Sequence, residues 1–180
     1  SFGLDLSKQS TYFAINNLKL NNILNTELSN DIYENNFFNC IVALNLLEHV
    51  PNPEEILKIL FNKLKNNDNL ILRVPNMNFH FNFRKIIKYI QNKKKYSLIA
   101  TKPPVHLYGY SLRNIKLLAL KNNFKFIDSG PSKLGDSKRN NFITNIKISA
   151  LNFIFKVIFY MSFKKFNISP SLYVILSKSG

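Results

Sequence analysis

The sequence predicts an α/β fold built on a largely parallel sheet. Short apolar segments alternate with segments of helical period along its 180 residues. Phe38-Asn39-Cys40-Ile41-Val42-Ala43-Leu44 is an almost unbroken apolar run, as expected of a strand covered on both faces. Directly after it, Asn45-Leu46-Leu47-Glu48-His49-Val50-Pro51-Asn52-Pro53 combines a polar tip with a helix start. In open α/β sheets, ligands bind beyond the carboxyl ends of strands, so this stretch predicts a site as well as a fold.

The elements follow in order. Phe2-Gly3-Leu4-Asp5-Leu6 reads as a strand, and Ser7 caps a helix over residues 8–18 that would bury Tyr12, Ile15 and Leu18. Residues 21–26 form a weaker strand and 28–36 a polar loop. After the Phe38–Leu44 strand, Asn52 caps a helix, Pro53 fits its first turn, and Glu54 and Glu55 complement its dipole. Ile56, Ile59, Leu60 and Leu64 make its apolar stripe, with Lys63 and Lys65 at the far end. Asn66-Asn67-Asp68-Asn69 is a turn, in which Asn can supply a left-handed residue.

Residues 70–74 form a strand, and 79–96 a helix over the strand ends. Residues 101–110 are a loop carrying His106, Tyr108 and Tyr110. Ser111 caps a helix with Leu112, Ile115, Leu118 and Ala119 inward, ended by Asn122-Asn123. Residues 124–127 are a strand, 129–141 a loop, and 172–176 the last strand.

The segment 142–163 is long and apolar, but Lys147 and Lys156 interrupt it. Asn145, Ser149, Asn152, Lys156 and Tyr160 fall on one polar stripe of a helix. This suits a helix packed on the domain or on another copy, or one lying in a membrane interface, better than a spanning helix.

The chain has the length of one domain, residues 1–180, with 131–168 as a helical cover. Its hydrophobic content of 46% excludes a disordered chain. The net charge of +15 permits attraction to phosphates or anionic membranes. The lysines are spread along the chain, as an AT-rich coding sequence produces, and Lys93-Lys94-Lys95 reads as solvated surface. The single Cys40 reads as a small core residue and fits a reducing, cytoplasmic compartment. No Ser-His-Asp, Cys-His or zinc-type cysteine spacing is present, and no metal is expected.

The ordered set of segments resembles the class I S-adenosylmethionine-dependent methyltransferases, in the branch with a Leu-Glu-His signature. Gly3-Leu4-Asp5-Leu6-Ser7 resembles the family's second strand, Thr26-Glu27-Leu28 the segment after the third, and Leu47-Glu48-His49-Val50-Pro51 the end of the fourth. Arg73-Val74-Pro75-Asn76 resembles the end of the fifth, and Pro104-Val105-His106-Leu107-Tyr108 the following loop. Asn39 and Asn123 depart from the family pattern.

The resemblance implies a Rossmann-like seven-strand sheet of order 3-2-1-4-5-7-6 and S-adenosylmethionine as cofactor. It places Asp5, with Leu6 beside it, on the cofactor ribose, and Glu27 and Leu28 on the adenine. Asn45 and Leu46 would meet the methionine part. His49 and His106 become candidates for a base or an acceptor contact. For Asp5, a turn-forming role is the structural alternative; for His49, a helix-entry role; for His106, packing of its loop. Asn45 is a poorer metal ligand than the acid some relatives carry.

The implied acceptor is a small molecule, a sugar or a lipid-linked compound. The competing reading is a non-catalytic nucleic-acid- or membrane-surface-binding protein on a degenerate methyltransferase fold; no nucleic-acid motif supports the first of these. The family's first strand and glycine-rich loop have no counterpart in this sequence, so a fragment is expected, with residues upstream of Ser1.

Overall fold

The computed structural model describes residues 1–91, 106–133 and 142–179. The expected Lys93-Lys94-Lys95 surface, the end of the helix at 92–96, the first part of the 101–110 loop and most of the 129–141 loop lie outside the described residues. The chain divides into two compact units, Ser1–Glu34 and Asn35–Gly180.

The smaller unit holds β1 (Gly3–Leu4), α1 (Lys8–Asn16) and β2 (Ile23–Leu24). β1 and β2 pair in parallel, Gly3 with Ile23 and Leu4 with Leu24. Ser7 caps α1 as its sequence predicts, its side chain accepting from the Ser10 N–H at 3.2 Å. The expected inward face does not form. Tyr12, Ile15 and Leu18 are exposed, and Thr11 is the buried residue of the helix. Two two-residue strands provide no layer wide enough to cover an apolar helix face, so periodicity alone misplaced these side chains.

The larger unit contains β3 (Phe38–Leu44), α2 (Pro53–Lys63), β4 (Leu64–Pro75), α3 (Met77–Gln91), α4 (Leu112–Lys121), β5 (Phe124–Pro131), α5 (Phe142–Met161) and β6 (Ser171–Lys178). Its sheet runs β3-β4-β6-β5. β3 and β4 are parallel, whereas β6 is antiparallel to both β4 and β5. β3, β4 and β5 therefore run one way and β6 alone runs against them, so the sheet is largely parallel with one antiparallel strand. β6 follows β5 in the chain and lies beside it, with α5 in the connection between them.

Leu70, Leu72 and Val74 of β4 meet Leu172, Val174 and Leu176 of β6 in a fully buried central pair. β3 differs from the both-faces-covered expectation. Ala43 is buried, but Cys40, Val42 and Leu44 are exposed, so Cys40 is not a core residue. β3 stands at the end of its sheet, with cover on one face.

The 66–69 turn is absorbed into β4. Three extra residues are accommodated between the pairs Phe38–Leu64 and Cys40–Asn69, and Asn67 takes a left-handed φ of 64°. α2 keeps its predicted start and cap, with Asn52 Oδ1 accepting from the Glu55 N–H at 3.2 Å, but it ends at Lys63, and Leu64 and Lys65, expected in the helix, begin β4. Leu57 joins Ile59 and Leu60 as its buried face, while Ile56 is half-buried. Lys63 stands in the last turn, as expected. It is buried, its Nζ donating to Asn35 Oδ1 at 3.0 Å.

α4 repeats the capping logic: Ser111 accepts from the Asn114 N–H at 3.2 Å, and Ile115 and Ala119 are buried. Asn123 ends it at φ 62°. No helix among the described residues is long and apolar enough to cross a membrane.

Candidate active site

The turn from 45 to 52 begins where β3 ends. Asn45 adopts φ 52°, a left-handed conformation Asn tolerates better than most residues. Its N–H donates to the Arg73 carbonyl of β4 at 2.9 Å, which holds the turn on the sheet. Leu47 then enters the core and Glu48 is fully buried, while His49 stays exposed.

A second loop is clamped onto this turn. The N–H groups of Leu107 and Tyr108 donate to the Glu48 carbonyl at 2.8 and 3.3 Å. The Tyr108 hydroxyl donates to the Pro51 carbonyl at 2.9 Å, and the buried Tyr110 hydroxyl to the Leu47 carbonyl at 3.1 Å. From the other side, the Met77 N–H donates to the Tyr110 carbonyl at 3.0 Å. Asn76 is buried, its amide donating to the carbonyls of Asn167 at 3.1 Å and Ser169 at 3.0 Å. Burial pushes the Tyr110 hydroxyl well above the ordinary tyrosine value, reinforced by Tyr108 and Glu48.

These clamps bring His106 to His49, with ring centroids 4.7 Å apart. One ligand-type atom from each of Glu48, His49 and His106 lies within 4.8 Å of the others. Among the described residues, no group outside Glu48 itself hydrogen-bonds either of its carboxylate oxygens, although both are buried. Burial raises the Glu48 pKa from its ordinary 4.5; its backbone N–H, then His49, His106 and Arg73, oppose this more weakly. Three such groups can pass a proton among themselves, or hold a divalent cation through two imidazoles and a carboxylate. Burial also lowers the pKa of His80.

Because native Glu48 holds its proton more tightly than the unfolded chain does, stability falls as pH rises from 4.5 through its raised value. The native protein should therefore lose stability relative to Glu48→Gln between about pH 4 and about pH 7. Denaturant titrations of both proteins at the two pH values measure this difference. A difference independent of pH would show an ordinary carboxylate.

Comparison with known proteins bears on this geometry. A family model described as a methyltransferase domain matches residues 2–129. The chain belongs to the methyltransferase-domain family. The fold of this methyltransferase domain recurs in solved structures. A S-adenosylmethionine-dependent methyltransferase from Thermotoga maritima, a possible histamine N-methyltransferase, is 16% identical with a TM-score of 0.63. The match covers 99% of this chain and 73% of that one. One from Methanosarcina mazei is 14% identical with a TM-score of 0.62, covering 99% and 81%. The methyltransferase partner of the Trm112 activator from Haloferax volcanii is 10% identical with a TM-score of 0.58, covering 99% and 72%. No curated protein sequence matches.

The methyltransferase domain thus has the α/β sheet of the class I fold, with S-adenosylmethionine as the family's cofactor. In its smaller unit, Asp5 follows β1 and is exposed. Its Oδ1 accepts from the Ser7 N–H at 2.7 Å, and its carbonyl from the Asn25 amide at 2.9 Å. It is a turn-former, with an exposed carboxylate still available to a ligand. Leu6 and Glu27 are exposed and Leu28 is half-buried. In the larger unit, Asn45 is exposed and Leu46 half-buried, its carbonyl accepting from the His49 N–H at 3.0 Å.

Sequence reasoning placed His49 and His106 separately and did not join them. It also passed over the clamping roles of Tyr108 and Tyr110. Their alternate spacing in a short loop was the available signal, since two hydroxyls on one side of an extended segment can fasten it at two points.

Proposed function

We propose that the chain carries out S-adenosylmethionine-dependent methyl transfer to a small-molecule, sugar or lipid-linked acceptor, with His49 and His106 at the acceptor. The observation that carries this reading is the convergence of both imidazoles and a buried carboxylate just beyond the end of β3. When bound, the cofactor supplies an activated methyl group on a sulfonium. Asp5 fits the ribose, because an exposed carboxylate can accept from two adjacent hydroxyls. Leu6 flanks it, and Glu27 and Leu28 serve the adenine. Asn45 and Leu46 meet the methionine part from the turn that follows β3.

His49 or His106 takes the proton that an O–H or N–H acceptor loses as it is methylated. The clamped 106–110 loop fixes where that proton goes, and Glu48 stabilises the imidazolium that forms.

Calorimetric titration with S-adenosylmethionine tests the cofactor reading. Asp5→Asn should weaken binding about tenfold or more, the worth of one charged hydrogen bond. Unchanged affinity would remove Asp5 from the site. Loss of turnover on chelation, restored by added Mn²⁺, would show that Glu48, His49 and His106 hold a cation instead of moving a proton.

A further inference from the structure

Among the described residues, α5 packs one face on the larger unit and leaves an apolar arc of another exposed. Phe155 lies against Phe79 of α3 at 6.4 Å between ring centroids, and Phe159 is buried. On the opposite side the helix exposes Ile146, Phe153, Ile154 and Met161, with Phe153 at 69% and Met161 at 76%. At 3.6 residues per turn, these four fall within about 100° of one another. The chain beyond the helix continues the patch with Phe163 at 87% and Phe166 at 66% exposed. Monomeric proteins rarely leave so large an apolar patch in water without a use for it.

The charges around this arc are of one sign. Lys147 borders it on one side; Lys156 lies beyond its other edge, and both are exposed. Lys165 follows the helix, and Lys164 pairs with Asp128 at 2.9 Å. No Asp or Glu occurs in the sequence after Asp136.

We propose that this face of α5, with Phe163 and Phe166, docks on an anionic lipid bilayer surface. The apolar arc enters the boundary between headgroups and acyl chains, and the flanking lysines extend to the lipid phosphates. The packed face opposite the arc keeps the rest of the larger unit above the membrane. A second copy of the chain fits less well. A symmetric contact through this arc would bring lysines against lysines with no acid in the segment to pair them. The helix need not span the bilayer, in keeping with its length and charge. The inference is independent of the methyl acceptor.

Co-sedimentation of the full chain with vesicles tests it. Binding is expected to phosphatidylcholine vesicles containing phosphatidylglycerol, with little to phosphatidylcholine alone, and it should weaken with salt. Phe153→Ser combined with Met161→Ser and Phe163→Ser should lower this binding about tenfold or more. These residues are exposed, so far-ultraviolet circular dichroism should stay unchanged. Lys147→Glu with Lys156→Glu should abolish the preference for anionic lipid. No vesicle binding at low salt, or binding unaffected by the triple serine variant, would overturn the proposal. So would lipid-free self-association, seen in sedimentation velocity, that the triple variant removes; the arc would then belong to a second copy.

Discussion

Replacing both His49 and His106 by alanine is expected to lower the turnover of methyl transfer about 10²–10⁴-fold while leaving S-adenosylmethionine affinity unchanged. The two rings are 4.7 Å apart, near enough for either to stand in for the other. Each single alanine variant should therefore lose less than the double variant, and the two losses should not add. His49 is exposed and His106 half-buried, so neither change empties a core site or endangers the fold. The decisive comparison is the turnover number against calorimetric cofactor binding. A double variant with native turnover would reduce both imidazoles to walls of the cleft. A variant that lost cofactor affinity in proportion to turnover would make them binding groups.

The largest stability effect is expected at Leu72. Changing it to alanine should cost about 3 kcal/mol, within the usual range for a buried leucine. Leu72 is 1% exposed and sits in the middle of β4, opposite Ala43 of β3 and Val174 of β6. Paired on both sides, this backbone cannot move inward to fill the cavity, so the cost includes the void as well as the lost transfer energy. Against a typical total of about 5–15 kcal/mol, such a loss would shift the denaturation midpoint strongly. Denaturant unfolding followed by circular dichroism measures it, and an unchanged slope would show that the unfolded state is unaffected. A loss below about 1 kcal/mol would mean that the helices over the sheet relax into the space.

The helices and strands were legible wherever a local signal marks their ends. Asn52 and Ser111 are read as caps from their place before a helical period, and each side chain accepts from the N–H three residues on. The direction of β6 was not legible, because strand orientation depends on which neighbour a segment joins. The exposure of Tyr12 and Ile15 was not legible either. Periodicity shows that a helix has an apolar face, but a partner layer decides whether that face is covered.

In the site, residue types were readable and their meeting was not. Glu48 and His49 are adjacent in the chain. His106 reaches them through the bond from Tyr110 to Leu47, across 63 positions. No local pattern encodes that distance.

The tyrosine clamp also divides the loop's responses to acid and base. Tyr110 keeps its proton well beyond the alkalinity at which an ordinary tyrosine ionises. The bond that seats the loop is therefore insensitive to pH throughout the range in which enzymes usually work. Any change of the loop with acidity originates in the groups it carries or covers, with Glu48 first among them. The mechanical part of the site, Tyr110, and its titrating part, Glu48, thus lie on two different segments of backbone joined by hydrogen bonds.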